Sequence, residues 1–159
     1  MREYKFRGKM IPENEWIYGT LLRIPAPPYC CGENPPKDKY YIQFADTRYM
    51  PDWGMSYKMV QGEIKPETLG QFTGLYDKNG KEIYEGDIVK IDAHNFDFGY
   101  RKEEIRQIKF MDGSFGIYKD ISEKEFYFND LATELGFGEI DYYEVIGNIY
   151  DNSKLLRKW

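Results

Sequence analysis

The sequence predicts a mainly β protein with no more than one or two short helices. Short aromatic and β-branched runs suit a pleated, half-buried surface, and Gly, Asn, Asp and Pro turn signals separate them. Only one short stretch carries helix-boundary signals. The crowding of short strands and turns in the second half points to a small barrel there.

In chain order, Tyr4 and Phe6 alternate with Lys5 and Arg7, the period-2 pattern of a strand with one face on a core. The runs Glu15–Leu22 and Lys39–Phe44 read as two further strands. Between them Pro25, Pro27, Pro28, Pro35 and Pro36 make residues 25–38 a long surface loop, because proline lacks the donor that a ladder needs. In the run Asp77-Lys78-Asn79-Gly80-Lys81, Asn79-Gly80 offers the two positive-φ residues of a type I′ hairpin turn. Ile83-Tyr84 follows, then Glu85-Gly86-Asp87 turns the chain into Ile88–Ile91. Strands are expected at Ile105–Phe110, Phe115–Tyr118 and Val145–Tyr150, with a tight turn at Met111–Ser114. The helical candidate is Asp130–Leu135, with Asn129 or Asp130 as N-cap and Gly136 ending it. The boundary falls between an N-terminal β-rich subdomain, 1–70, and a C-terminal barrel, 71–159. No repeat or Gly/Ser linker separates them, so the halves are expected to pack together.

The 159 residues suffice for one ordinary domain or two small ones with a hydrophobic core. A mean hydropathy of -0.70 is polar, but 18% aromatic residues argue against disorder. Against 27 acidic residues stand 22 basic ones, a net charge of -5 that excludes a basic nucleic-acid coat. No stretch reaches the roughly 18 to 20 apolar residues of a membrane span, and Met1–Arg7 has no apolar signal core. A soluble, cytoplasmic protein with no membrane partner is expected.

Chemical motifs are sparse. Cys30 and Cys31 are adjacent, which disfavours a disulfide, and His94 is the only histidine, so a zinc site lacks ligands. The pair reads as reduced thiols in a loop. The Asp77–Glu85 run fails as a calcium loop because Gly80 stands fourth where glycine must be sixth. Gly54–Lys58 is half of a nucleophile elbow with Lys58 in place of the second glycine, and His94 reads as a solvated loop histidine rather than a triad member. Gly136-Phe137-Gly138 lacks the third glycine of a dinucleotide fingerprint. Carboxylates such as Glu82, Glu85 and Asp87, or Glu139, Asp141 and Glu144, are too abundant to mark a catalytic pair. No catalytic, cofactor or metal residue is assigned.

Two binding readings remain. Arg101, Lys102, Arg106 and Lys109 lie beside Phe96, Phe98 and Tyr100, a combination that could line a nucleic-acid groove, although Glu103 and Glu104 interrupt it. The 15 tyrosines fit a protein-interaction surface, since tyrosine joins a large apolar ring to a polar end. An unidentified protein partner or self-association is the expected mode, with nucleic acid as the alternative and a carboxylate- or metal-dependent hydrolase as a lesser one.

The run Thr68–Val89, with Lys5-Phe6-Arg7, Gly113-Ser114-Phe115 and Glu144–Asn152, resembles the YopX family of phage and prophage proteins across the whole chain. The Pro-rich stretch 25–38 and the connection around 92–103 look like loop insertions. The resemblance implies an SH3-type barrel in the C-terminal part and a bacteriophage or prophage origin; the protein partner expected from the aromatic richness would then be a host or phage protein. It implies no reaction and carries over no catalytic residues. The residues of the motif have structural readings: Gly70 and Gly74 permit tight backbone paths, Asn79-Gly80 turns the hairpin, Gly86-Asp87 starts the first barrel strand, and Gly147 lies in the closing strand.

Overall fold

The computed structural model describes residues 3–32, 34–46, 57–95, 100–122, 125–130 and 142–158. It is mainly β and divides into two units, Met1–Gln71 and Phe72–Trp159.

The first unit contains β1 (Phe6–Lys9), β2 (Trp16–Ile24), β3 (Lys39–Asp46), β4 (Lys58–Glu63) and the first two residues of β5 (Gly70–Tyr76). The strands are antiparallel in the order β4-β3-β2-β1-β5. The alternation read from the sequence sets one face of this sheet on a core of Ile17, Ile42 and Ile64, with Phe6, Met10, Tyr40, Phe44 and Leu69 packed against it. Gly62 has no room for a side chain, because a Cβ would stand 2.6 Å from Met10 Sδ and 2.9 Å from Ile17 Cδ1. At Gly19 a Cβ would collide with the Gln43 carbonyl oxygen, which is backbone and cannot swing away. Among the described residues of 25–38 no strand forms, as the prolines require.

In the second unit β5 runs on into a hairpin with β6 (Glu82–Tyr84). A five-stranded antiparallel sheet follows in the order β10-β9-β8-β7-β11, from β7 (Asp87–Asn95), β8 (Tyr100–Met111), β9 (Ser114–Ser122), β10 (Glu125–Asp130) and β11 (Tyr143–Asn148). Its core joins Val89, Ile91, Ile108, Ile117, Tyr143 and Val145 with Ile83 of β6. Among the described residues no ladder links β10 to β11, so the sheet is open there and no closed barrel is present.

Several local expectations change. Asp112 and Gly113 have φ of 52° and 86° between the paired residues Met111 and Ser114, so the two-positive-φ turn sits here. At Asn79-Gly80 only Gly80 is left-handed, with φ 77°; Gly80 N–H donates to Asp77 O and Asp77 N–H to Lys81 O, giving a longer loop than type I′. The connection at 92–103 is largely strand, with Asp92 paired to Glu103 and Asn95 to Tyr100, and His94 lies on β7 rather than in a loop. Asn129 and Asp130 are not helix caps but β10 residues paired with Ile117 and Gly116; the rest of that candidate, 131–135, lies outside the described residues. Helical turns of the 3-10 type lie at Pro66–Thr68 and Ser153–Lys158.

Two glycines should separate conformational from steric cost. Nothing lies within 4 Å of a Cβ at Gly80, so Gly80→Ala should cost about 1 kcal/mol from its left-handed φ alone. Gly19→Ala should cost more, upwards of about 3 kcal/mol, because two backbones must part. Urea denaturation of both variants measures the difference.

Candidate interaction surface

The motif residues mostly serve the backbone. Gly70 pairs with Arg7, and Gly74 takes φ 89° where β5 shifts register against β6. At that shift Thr73 Oγ1 donates to Ile83 O (2.9 Å) and accepts from Leu75 N–H (3.2 Å), replacing lost ladder bonds. Gly86 is left-handed at 83°; its N–H donates to Ile108 O and its carbonyl accepts from Ile149 N–H. Asp87 is buried and accepts from Tyr84 N–H at 2.8 Å. A Cβ at Gly147 would sit 2.6 Å from Asn152 Oδ1, so that position admits the Asn152 side chain that follows the closing strand.

Asp77 is the residue that reading the motif for turns alone undervalues. Its side chain is 4% exposed. Oδ1 accepts from Asn79 N–H (2.8 Å) and Lys81 N–H (2.9 Å), and Oδ2 accepts from Val145 N–H of β11 (2.9 Å). Lys78 N–H donates to Tyr143 O, and Lys78 Nζ meets Glu144 at 2.5 Å, so the hairpin is fastened along β11. Burial pushes the Asp77 carboxyl up, but the Val145, Lys81 and Asn79 N–H groups and the Lys81 charge outweigh it and hold it below the usual carboxylate range.

The other carboxylates named from the sequence have similar partners. Glu82 accepts from Tyr84 Oη at 2.6 Å, and Glu144 pairs with Lys78. Glu139 and Asp141 lie outside the described residues, as do Gly136–Gly138 and most of Gly54–Lys58. Among the described residues, no group of three His, Cys, Asp or Glu side chains could hold a metal ion.

The basic strip does not form one surface where its side chains are described. Arg106 is buried, with its guanidinium on Glu104 and on Ile105 O (3.2 Å). It shares its side of β8 with the core residue Ile108, whereas Lys109 projects to the other side over the Tyr118 ring, 4.3 Å from its centroid. Arg101 and Lys102 contribute backbone pairs to His94 and Ala93.

An unexpected feature lies on the first unit's sheet, on the face away from its core. Along β2 the outward positions are Tyr18, Thr20, Leu22 and Ile24, and the inward ones include Ile17 and Leu21. Ladder register sets Leu22 beside Tyr41, Thr20 beside Gln43, and Ala45 beside Met59. Tyr18, Leu22, Ile24 and Met59 are 42%, 44%, 45% and 51% exposed, where a solvated antiparallel face ordinarily carries polar side chains. Charged clasps border the patch. Lys39 Nζ and Tyr41 Oη both donate to Glu63 at 3.0 Å, which holds the Glu63 carboxyl low and the Lys39 ammonium high. On the far side the Trp16 ring stacks with the Arg7 guanidinium (4.9 Å) and the Lys9 ammonium (5.4 Å). The sequence signal for this surface is a strand apolar on both parities in a sheet with one core face.

The fold and this surface define a two-unit antiparallel β protein with an exposed apolar row on the outward side of β2. The chain belongs to the YopX protein family, whose sequence model matches residues 5–157. It is similar to protein EF1440 from Enterococcus faecalis, known from a crystal structure, with 24% identity, a TM-score of 0.42, and coverage of 98% of this chain and 99% of that one. No curated protein matches it. Among the described residues no helix is long and apolar enough to cross a membrane.

The depressed Asp77 carboxyl fixes the sign of a pH effect. A group whose pKa is lowered by folding stabilises fully above its unfolded value, about 3.9, and loses that contribution as pH falls through the folded value. The stability of the native chain should therefore decline below about pH 4. Asp77→Asn should lose about 2 to 3 kcal/mol at pH 7 and show a shallower acid decline, measured by urea denaturation between pH 2 and 7.

Proposed function

We propose that this protein is a non-enzymatic accessory protein of a phage or prophage, working in the bacterial cytoplasm by binding a protein partner on the outer face of β2, β3 and β4. The observation that carries the reading is the row Tyr18, Leu22 and Ile24, exposed on β2, with Met59 exposed on the same face two strands away on β4. Burying such a row gives a partner an apolar centre, and the exposed Lys39–Glu63 clasp supplies a polar edge. The placement of Arg106 in an ion pair with Glu104 weighs against the nucleic-acid alternative. The five-stranded sheet with the β5–β6 hairpin packed into its core is consistent with a relative of the SH3-type barrel, a scaffold whose function has to be argued from its surface.

The test is capture from phage-infected host lysate with tagged protein, with and without nuclease, beside Leu22→Glu. Leu22 is exposed, so the variant should melt close to the native protein. The expected result is a specific protein that survives nuclease and binds Leu22→Glu at least about 30-fold more weakly, as loss of a central apolar contact does. Recovery of nucleic acid alone would overturn the class of partner, and equal capture by Leu22→Glu would overturn the surface. A concentration-dependent rise in mass abolished by Leu22→Glu would make the partner a second copy.

A further inference from the structure

The first limb of the Pro-rich loop between β2 and β3 is built as a stiff, extended arm. Each residue of Ile24-Pro25-Ala26-Pro27-Pro28 is a proline or precedes one. The pyrrolidine ring fixes φ at the prolines, and its clash with the residue before it keeps that residue out of the helical region. All five are thereby confined to extended or polyproline II backbone, and Pro25–Pro28 form neither helix nor strand. The limb ends in a bend at Cys31 and Gly32, where Gly32 has φ 133° and the Tyr29 hydroxyl lies where a side chain would begin.

The arm is fastened along one edge and bare along the others. Asp38 Oδ1 accepts from Ala26 N–H at 2.9 Å and Oδ2 from Arg23 Nε at 2.6 Å, next to the ladder pair Ile24–Lys39. The Ala26 N–H and then Arg23 hold the Asp38 carboxyl below the usual range, so the clasp is ionised at neutral pH. A polyproline II helix has three residues per turn, so Ile24 and Pro27 share one edge, Pro25 and Pro28 share a second, and Ala26 lies on the third. Ala26 is half-buried, whereas Ile24, Pro25, Pro27 and Pro28 are exposed. Among the described residues no hydrogen bond reaches the carbonyls of Pro25, Ala26, Pro27 or Pro28.

This pattern has a definite complement. Two apolar–proline pairs, Ile24-Pro25 and Pro27-Pro28, are separated by one residue, which sets Pro25 and Pro28 at the PxxP spacing that docks in aromatic-lined grooves. The rings of such a groove cover the two exposed edges, and its side-chain donors reach the carbonyls that the fold leaves unbonded. A limb already fixed by its prolines and by the Asp38 clasp loses little conformational freedom on docking. We propose that Ile24–Pro28 is a docking arm for a partner domain with an aromatic-lined groove of the SH3 type. The arm starts where the exposed row of β2 ends, and the proposal does not rest on that row.

The test titrates the full chain calorimetrically against a panel of purified SH3-type domains from bacteria and their phages. The expected result is that at least one domain binds, and that the double variant Pro25→Ala, Pro28→Ala binds it at least about tenfold more weakly. Both prolines are exposed in a loop, so the variant should melt close to the native protein. The proposal would be overturned if no domain of the panel bound, or if the double variant bound as the native chain does. Leu22→Glu should leave this binding unchanged; loss in Leu22→Glu with retention in the proline variant would place the contact on the sheet face and overturn the arm.

Discussion

A single buried carboxylate organises the second unit. Asp77 faces N–H groups from the turn that it begins and from a strand distant in sequence, and it satisfies all three with one ionised side chain. Buried N–H groups without acceptors are costly, so removing this acceptor would disturb both the turn and β11. The longer loop at Asn79-Gly80 follows from the same constraint: with Asn79 and Lys81 N–H both directed at Oδ1, the two-residue type I′ form is not adopted. The neighbouring motif residues extend the fastening. Thr73 mends the β5 irregularity, Gly86 links to both Ile108 and Ile149, and Asp87 closes on Tyr84.

The first unit is built on different terms. Its core is small, three buried isoleucines with half-buried neighbours, and its sheet invests apolar side chains on both sides. Gly19 and Gly62 let backbone and side chains approach closely on the inner side. On the outer side β2 keeps tyrosine, leucine and isoleucine where solvation alone would favour charge. Structural need explains the inward set, and the proposed binding role would give the outward set a reason.

Strand positions with clear alternation were legible in the sequence, as at β1 to β3 and the start of β7. The strand β4 was not, since Lys58-Met59-Val60-Gln61-Gly62-Glu63 contains one β-branched residue and is held by its pairing with β3. Asn129 and Asp130 carry the side chains of helix caps, yet their ladder with β9 overrides that local preference. Turn chemistry was legible in kind and not in type: Asp-Gly and Asn-Gly look alike until a buried acceptor distinguishes them. The outward apolar row was present in the letters of β2, but which faces of a sheet are covered is a tertiary property. The dispersal of Arg106 and Lys109 to opposite sides followed from strand period alone once β8 was recognised as one continuous strand.

The fastening of the Asp77 hairpin along β11 also bears on self-association in acid. Tyr143 O and Val145 N–H, on the margin of the five-stranded sheet, are engaged by Lys78 N–H and Asp77. An unengaged margin is a template onto which another chain can add as a strand. Because its carboxyl is held low, Asp77 keeps that cover in place through mild acid and gives it up only on protonation below about pH 4, so the carboxylate acts as a guard against edge pairing as well as a clasp.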